Sequence, residues 1–262
     1  MRDYKYKKQG SAKYGALLFF KIYYEKFWRL AAVNFLYFVA VFPLFSAVYA
    51  GVAVNVLGQN TLIGADILVS IFSYLPIGLR LPSVILSAVI YGPLKMGVTY
   101  VYKCFLIGEH VYGTDVFLYA LRNAKQGLAF GFLDLFVVSV LIYNIFAELG
   151  MTGAAGTALD MAGYISMTML ALYVMIRHYF YLMAVSAEFK IAEIIKNSVL
   201  LSVLKLGQSL GLALACTAVW GIVLLSVPAV TIIFVPFMIY SVCGILTAMS
   251  CWPIIDDCVI AE

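Results

Sequence analysis

Residues 92–131 read GPLKMGVTYVYKCFLIGEHVYGTDVFLYALRNAKQGLAFG. An apolar segment ends at Lys103, a segment with one polar face follows, and a second apolar segment begins at Gly127. The opening of that second segment recurs 80 residues later: Lys125-x-Gly127-x-x-x-Gly131, then Lys205-x-Gly207-x-x-x-Gly211. We interpret each copy as two membrane helices joined by a short elbow, and the pair as a candidate internal repeat. We name residues 103–126 the first elbow and residues 188–206 the second elbow.

The composition is typical of an integral membrane protein. Apolar residues make up 65% of the 262 positions and charged residues 11%, whereas a soluble domain carries about 25% charged residues. So few charges cannot cover a water-exposed surface of this size. Several apolar runs reach the roughly 20 residues that a helix needs to cross a bilayer. The sequence therefore predicts an all-α fold, a polytopic membrane bundle of about six transmembrane helices.

The cationic residues predict the orientation. Eight lie before the first long apolar run and each elbow carries three more, whereas residues 150–160 contain none. Basic segments are retained on the cytoplasmic side during insertion. We therefore expect a multi-pass protein of the cell membrane with both termini and both elbows in the cytoplasm. Nucleic acid is not an expected partner, because the basic N-terminal cluster directly adjoins an apolar span.

The predicted organisation has three parts. Residues 1–29 form a basic, aromatic segment at the cytoplasmic interface, residues 30–250 the transmembrane domain, and residues 251–262 a short cytoplasmic tail. Residues 58–80, broken by Pro76 and Gly78, are predicted as an outer half-helix because their apolar run is too short to span. The predicted spans are residues 30–57, 82–102, 127–149, 161–185, 207–227 and 229–249.

No motif for catalysis or metal binding is recognisable. The chain lacks His-Glu-x-x-His and Gly-x-x-x-x-Gly-Lys-Ser/Thr, its two histidines are far apart, and its five cysteines show no Cys-x-x-Cys spacing. Those spacings are what zinc hydrolases, nucleotide-binding loops and thiolate metal sites require. We predict a protein that is not an enzyme, with no catalytic residue, no metal and no cofactor.

Four polar residues inside the predicted spans are the candidate site residues. Lys95 and Asp134 lie at similar depths, about 10 Å from the inner span ends at 1.5 Å per residue, so an ion pair between them is feasible. A charge at the bilayer centre costs about 2.5–3.5 kcal/mol and persists only with a partner or a watery cavity. The pair either fixes the helix register, which we favour, or contacts a substrate or ion. Arg177 and His178 are predicted to anchor the fourth span at the inner headgroups, with titration during transport as the alternative.

Two further sets of residues are predicted from spacing and amphipathicity. Glycines four residues apart let helix backbones approach closely, which predicts helix packing at Gly127 with Gly131 and at Gly207 with Gly211. Each elbow is expected to hold an amphipathic helix at the inner interface. In the first elbow, Thr114 and Asp115 would cap a helix over residues 116–126 with Phe117, Ala120 and Leu121 on its apolar face. The polar elbow residues expected to contact a partner are Arg122, Lys125, Glu193, Lys196 and Asn197.

Scattered short stretches over residues 27–212 resemble a known family. They are NFLY (34–37), FPL (42–44), GPLK (92–95), YVYK (100–103), GE (108–109), DVF (115–117) and IIKNS (194–198). They are similar to segments of the YesL-like bacterial membrane proteins, a family defined as a domain of unknown function. Residues 45–81 depart from that family, which usually passes almost directly from its Leu-Pro to its Gly-Pro segment.

The resemblance implies a role, because members of that family typically occur beside carbohydrate ABC importers and glycan-processing genes in Gram-positive bacteria. We therefore expect a non-enzymatic accessory subunit of a bacterial carbohydrate or oligosaccharide ABC importer. Its partners would be the lipid bilayer and the permease subunits, with sugar met only through the complex. The alternative is a small-solute carrier or channel whose path is lined by Lys95, Asp134 and Arg177.

Overall fold

The computed structural model describes residues 16–52, 70–151, 157–186, 189–225 and 228–260. All regular structure in these ranges is helical, with no strand. The elements are α1 (Ala16–Val52), α2 (Ile77–Ile107), α3 (Asp115–Arg122), α4 (Ala124–Met151), α5 (Thr157–Ala184), α6 (Ile191–Leu204), α7 (Leu206–Leu225), α8 (Pro228–Phe234) and α9 (Tyr240–Ile255), with π-helical turns at Val235–Ile239 and Asp256–Ile260.

Six segments of the described chain are long and apolar enough to cross a membrane. They are Leu17–Val48, Ile77–Ile107, Ala124–Ile145, Met161–Ala184, Leu206–Val223 and Val235–Cys258. Each meets the roughly 20-residue length that a bilayer requires. The predicted fold class is confirmed: the chain is an all-α, multi-pass membrane bundle whose spanning helices contact lipid.

The first helix starts earlier than expected. α1 spans Ala16–Val52 and contains Pro43, but the backbone at Lys26 is not helical (φ −120°, ψ 16°), so a kink there joins two helical segments. The segment before the kink packs on the bundle, because Ile22 is buried and the Lys26 ammonium lies 4.7 Å from the centre of the Phe105 ring. Helical structure therefore begins before residue 30, where the first span was predicted to start, and the kink separates its first turns from the long apolar part. The predicted end of this span, residues 53–57, lies outside the described residues.

The second spanning helix also starts earlier. Of the predicted outer half-helix, residues 58–69 lie outside the described residues, and residues 70–73 form a helical turn. α2 then begins at Ile77 and carries Pro82 inside it rather than at its start. Arg80 secures the start of α2: its guanidinium donates to the backbone carbonyls of Ser73 and, at 3.0 Å, of Leu75.

α2 is the central helix of the bundle. It packs against α1, α4, α5 and α9, and against the short helix α3. Its C-terminal half is almost continuously buried, from Leu94 through Leu106. The left-handed conformation of Gly108 (φ 81°) ends α2, with its N–H bonded to the Cys104 carbonyl, as glycine commonly does at helix ends.

Of the apolar face predicted for the first elbow helix, Ala120 is buried, whereas Phe117 and Leu121 are not. α3 packs Val116 and Ala120 against the bundle, while Phe117 is 49% exposed and Leu121 76% exposed. Thr114 makes no side-chain cap bond; instead Asp115 accepts a hydrogen bond from the Tyr112 N–H at 2.8 Å. The smaller side chains therefore face protein and the larger ones face outward.

Both elbows lie at one end of the bundle, the elbow end. The Tyr119 hydroxyl donates to the Val185 carbonyl at 3.1 Å, and the Gln126 amide donates to the Phe189 carbonyl at 3.3 Å. α9 also finishes here, and its residues Cys251 and Trp252 are buried. Residues 251–255 thus belong to the helical core rather than to a free tail, because α9 continues to Ile255.

The two elbows share a local design. In each, a short helix is followed by a spanning helix after a one-residue break, at Asn123 in the first and Lys205 in the second. Across each break the backbone stays hydrogen bonded, from the Gly127 N–H to Asn123 at 2.8 Å and from the Ser209 N–H to Lys205 at 2.9 Å. The repeated sequence spacing therefore corresponds to a repeated backbone geometry.

Candidate functional site

A cluster of charged residues lies well inside the bundle, where α2, α4 and α5 meet. Lys95, Asp134 and Arg177 come from these three helices in turn. Counted from the helix ends nearest the elbows, they lie roughly 18, 15 and 10 Å inward at 1.5 Å per residue. All three are therefore within the membrane-spanning segments.

Asp134 is the centre of the cluster and is only 1% exposed. The Arg177 Nε lies 2.8 Å from its Oδ1 and 3.0 Å from its Oδ2. The Lys95 Nζ lies 3.3 Å from the same Oδ2. One carboxylate thus pairs with two cations from two other helices.

Three tyrosine hydroxyls complete the shell around this carboxylate. Tyr91 donates to Oδ2 of Asp134 at 2.6 Å, Tyr181 donates to the same oxygen at 3.1 Å, and Tyr173 donates to Oδ1 at 3.0 Å. Hydrogen bonds to an ionised carboxylate are stronger than neutral ones, and they strengthen further in a low dielectric. Hydrogen bonds and ion pairs from the protein therefore take the place of water around the buried carboxylate.

Sequence reasoning missed the tyrosines, although their spacing contained a signal. Tyr173, Arg177 and Tyr181 follow one another at four-residue intervals, as do Tyr91 and Lys95. Residues four apart lie on one helix face. In α5 this spacing places Tyr173, Arg177 and Tyr181 on one face of the helix, and that face contacts Asp134 of α4.

The predicted ion pair between Lys95 and Asp134 is present, but Arg177 has a different role from the one predicted. It pairs with Asp134 within the bundle rather than anchoring at the headgroups, because its side chain points across to α4. His178 turns away from the cluster toward α9, with its Nδ1 3.1 Å from the Thr247 hydroxyl. Its buried Nε2 has no hydrogen-bond partner within the described residues.

The two glycine pairs differ in their packing. A Cβ built on Gly131 would lie 2.6 Å from the Gly92 Cα, and one built on Gly127 would lie 2.6 Å from the Pro93 Cα. α2 and α4 therefore touch backbone to backbone, directly beside Lys95. Gly207 and Gly211 have no atom within 4 Å of an added Cβ, so the equivalent face of α7 is open within the described chain.

The elbow residues lie at the elbow end. Arg122, Lys125, Glu193 and Lys196 are exposed and Asn197 is half-buried. Glu193 accepts a hydrogen bond from the Lys190 N–H at 3.1 Å, which secures the start of α6. Within the described residues, no group of three or more His, Cys, Asp and Glu side chains is placed to hold a metal ion.

Comparison with protein-family models, with curated proteins and with solved structures finds no match. The fold and the site therefore assign the protein to a structural class, and no family is assigned. The protein is a multi-pass α-helical membrane protein with a polar cluster that joins three of its spanning helices.

Proposed function

We propose that the protein is a non-enzymatic accessory subunit of a bacterial carbohydrate importer. The proposal is supported first by Asp134, whose two oxygens accept contacts from residues of α2 and α5. Breaking a buried charge pair by removing one partner costs about 3–5 kcal/mol. The three helices are therefore expected to move as one unit, as in a scaffold.

The same arrangement argues against the alternative of a carrier. In a carrier that uses Asp134, the carboxylate would have to release its partners in each cycle. Release would leave a charge in a low-dielectric interior, where an unpaired ion is strongly disfavoured. Tyr91, Tyr173 and Tyr181 add three more contacts that would have to break.

The elbow end offers surfaces that another membrane protein can cover. α3 exposes Phe117 and Leu121, and α6 exposes Val203 and Leu204. Beside them, the open glycine face of α7 permits close approach of a helix from another chain, as small residues do in membrane interfaces. These surfaces suit the helices of a permease.

Three parts of the proposal are supported by the sequence: the class of partner, the type of membrane and the orientation in it. The resemblance to YesL-like proteins suggests the permease pair of a carbohydrate ABC importer. The cationic residues Lys103, Arg122, Lys125, Lys190, Lys196 and Lys205 lie at the elbow end and Arg80 at the other. This bias favours a cell-membrane protein with its elbows in the cytoplasm.

Affinity purification of the tagged full chain from native membranes in mild detergent tests the proposal. We expect the permease subunits of a carbohydrate importer to be recovered with the wild-type chain. The pair Gly207→Leu and Gly211→Leu fills the open face of α7 and should lose these subunits. Gly78→Leu is the matched control, because Gly78 is equally open at the opposite end of the bundle. Recovery of the wild-type chain without any permease would contradict the proposal.

A further inference from the structure

The Asp134 cluster contains more basic side chains than acidic ones. Lys95 and Arg177 both lie against the single carboxylate, and no other described acidic residue pairs with either of them. We propose that Lys95 and Arg177 together bind a small oxyanion, a phosphate or a carboxylate group, inside the membrane-spanning bundle. This site is independent of the accessory role proposed above.

The hydrogen-bonding groups support an additional acceptor. A carboxylate offers about four lone-pair sites, and Asp134 already receives contacts from three tyrosines and both cations. Arg177 uses its Nε on Asp134 and its Nη2 on the Tyr91 hydroxyl. A guanidinium has five N–H donors and an ammonium three. Donors therefore remain on both cations after Asp134 is saturated.

The two cations converge on one point. The Lys95 Nζ and the Arg177 Nη2 both donate to the Tyr91 oxygen, at 3.3 and 2.5 Å. The two cationic groups therefore lie side by side around this hydroxyl, close enough for their remaining N–H groups to share one small anion. The Lys95 ammonium also lies 4.1 Å from the centre of the Tyr181 ring, which fixes it from the side.

The accessible surface in the cluster belongs to the cations. The Lys95 and Arg177 side chains keep 21% and 28% of their exposure, whereas the Asp134 side chain keeps 1%. Tyr91 and Tyr181 are also buried. An anion bound at the exposed parts of Lys95 and Arg177 would therefore leave the buried Asp134 in place, as a positioning residue for both.

An oxyanion would supply a second counter-charge for the two basic side chains. A net charge within a membrane is costly and persists with a counter-charge or a watery cavity. Arginine binds phosphate and carboxylate through two parallel N–H bonds, and a nearby lysine adds a point charge. The same group can come from the headgroup of an anionic lipid or from a free anion.

The experiment uses the full chain in nanodiscs of phosphatidylcholine, titrated with inorganic phosphate or acetate at constant ionic strength. A parallel series contains phosphatidylglycerol in place of added anion. The measurement is the thermal unfolding midpoint, since a ligand of the native state raises stability in proportion to ln(1 + [L]/Kd). We expect a saturable rise in at least one series. A rise with added phosphate or acetate identifies a free anion, and a rise only with phosphatidylglycerol identifies a lipid headgroup.

Substitutions assign the effect to the cluster. Lys95→Gln removes one of the two basic groups and leaves the Arg177–Asp134 pair, so it should fold and weaken anion binding at least about tenfold. Lys103→Gln is the control, because the Lys103 ammonium lies in the same helix and also 4.1 Å from an aromatic ring, that of Trp252. Arg177→Lys keeps the charge and should also weaken binding. Absence of any rise, or an equal rise in Lys95→Gln and wild type, overturns the proposal.

Discussion

The guanidinium of Arg177 lies across both oxygens of Asp134, with its Nε 2.8 Å from Oδ1 and 3.0 Å from Oδ2. This contact joins α5 to α4 in the interior of the membrane-spanning bundle. Lys95 reaches the same carboxylate from α2. Three spanning helices are therefore tied at one buried point, and this point explains why charged residues persist in so apolar a chain.

The tyrosines around Asp134 should contribute to stability through their hydroxyls. Tyr181→Phe removes one donor to a buried carboxylate, and we expect it to lower the free energy of unfolding by about 1.5–3 kcal/mol. Tyr164→Phe is the control, because Tyr164 is exposed and should change stability by no more than about 0.5 kcal/mol. Unfolding by titration with sodium dodecyl sulfate measures both. Equal effects of the two substitutions would contradict the role of Tyr181.

The crossing of α2 and α4 should tolerate no added methyl group. In Gly131→Ala the new Cβ would lie 2.6 Å from the Gly92 Cα, so the helices must separate, at a cost of about 1–3 kcal/mol. Gly207→Ala meets no atom of the described residues within 4 Å and should leave stability unchanged or raise it by up to about 1 kcal/mol, since alanine favours helix. Thermal unfolding of the two variants side by side makes the comparison. A destabilised Gly207→Ala would show that the α7 face is already covered within the chain.

Part of this architecture could be predicted from the sequence because it follows from simple counting. Long apolar runs predict the spans, and their ends place Lys95 and Asp134 at one depth. The role of Arg177 could not be predicted in this way, because its distance from a span end says nothing about which neighbour its side chain faces. Tyrosine is also common at membrane interfaces. The three tyrosines around Asp134 therefore did not stand out in the sequence as members of a buried site.

The helix of the first elbow shows a second reason why part of the structure could not be predicted from the sequence. A surface helix in water buries its apolar face, so Phe117 and Leu121 were expected to point inward. Beside lipid, both faces of such a helix can be apolar, and packing selects the smaller Val116 and Ala120 for the protein side. The amphipathic pattern predicted a helix in the first elbow. It could not indicate which face of that helix packs on the protein and which faces the bilayer.

The elbows should be accessible from one side of the membrane only. Cysteines introduced by Arg122→Cys and Lys196→Cys, in a chain carrying Cys258→Ser, should react with an impermeant maleimide in inside-out vesicles and not in intact cells. Tyr74→Cys should show the reverse, because Tyr74 is exposed at the end opposite the elbows, near Arg80. Labelling of either elbow in intact cells would refute the cytoplasmic orientation and, with it, the proposed docking surface.

The most direct test of the central claim, that Asp134 ties the spanning helices together, is a double-mutant cycle on Asp134 and Arg177. Stability is measured for wild type, Asp134→Asn, Arg177→Gln and the double variant by unfolding in sodium dodecyl sulfate. Asp134→Asn should cost about 3–5 kcal/mol, and the coupling energy between the two residues should exceed about 1.5 kcal/mol. The exposed Lys21–Glu25 pair, 3.9 Å apart on one helix face, is the control, with an expected coupling of at most about 0.5 kcal/mol. A coupling energy between Asp134 and Arg177 no larger than that of the control pair would contradict the account.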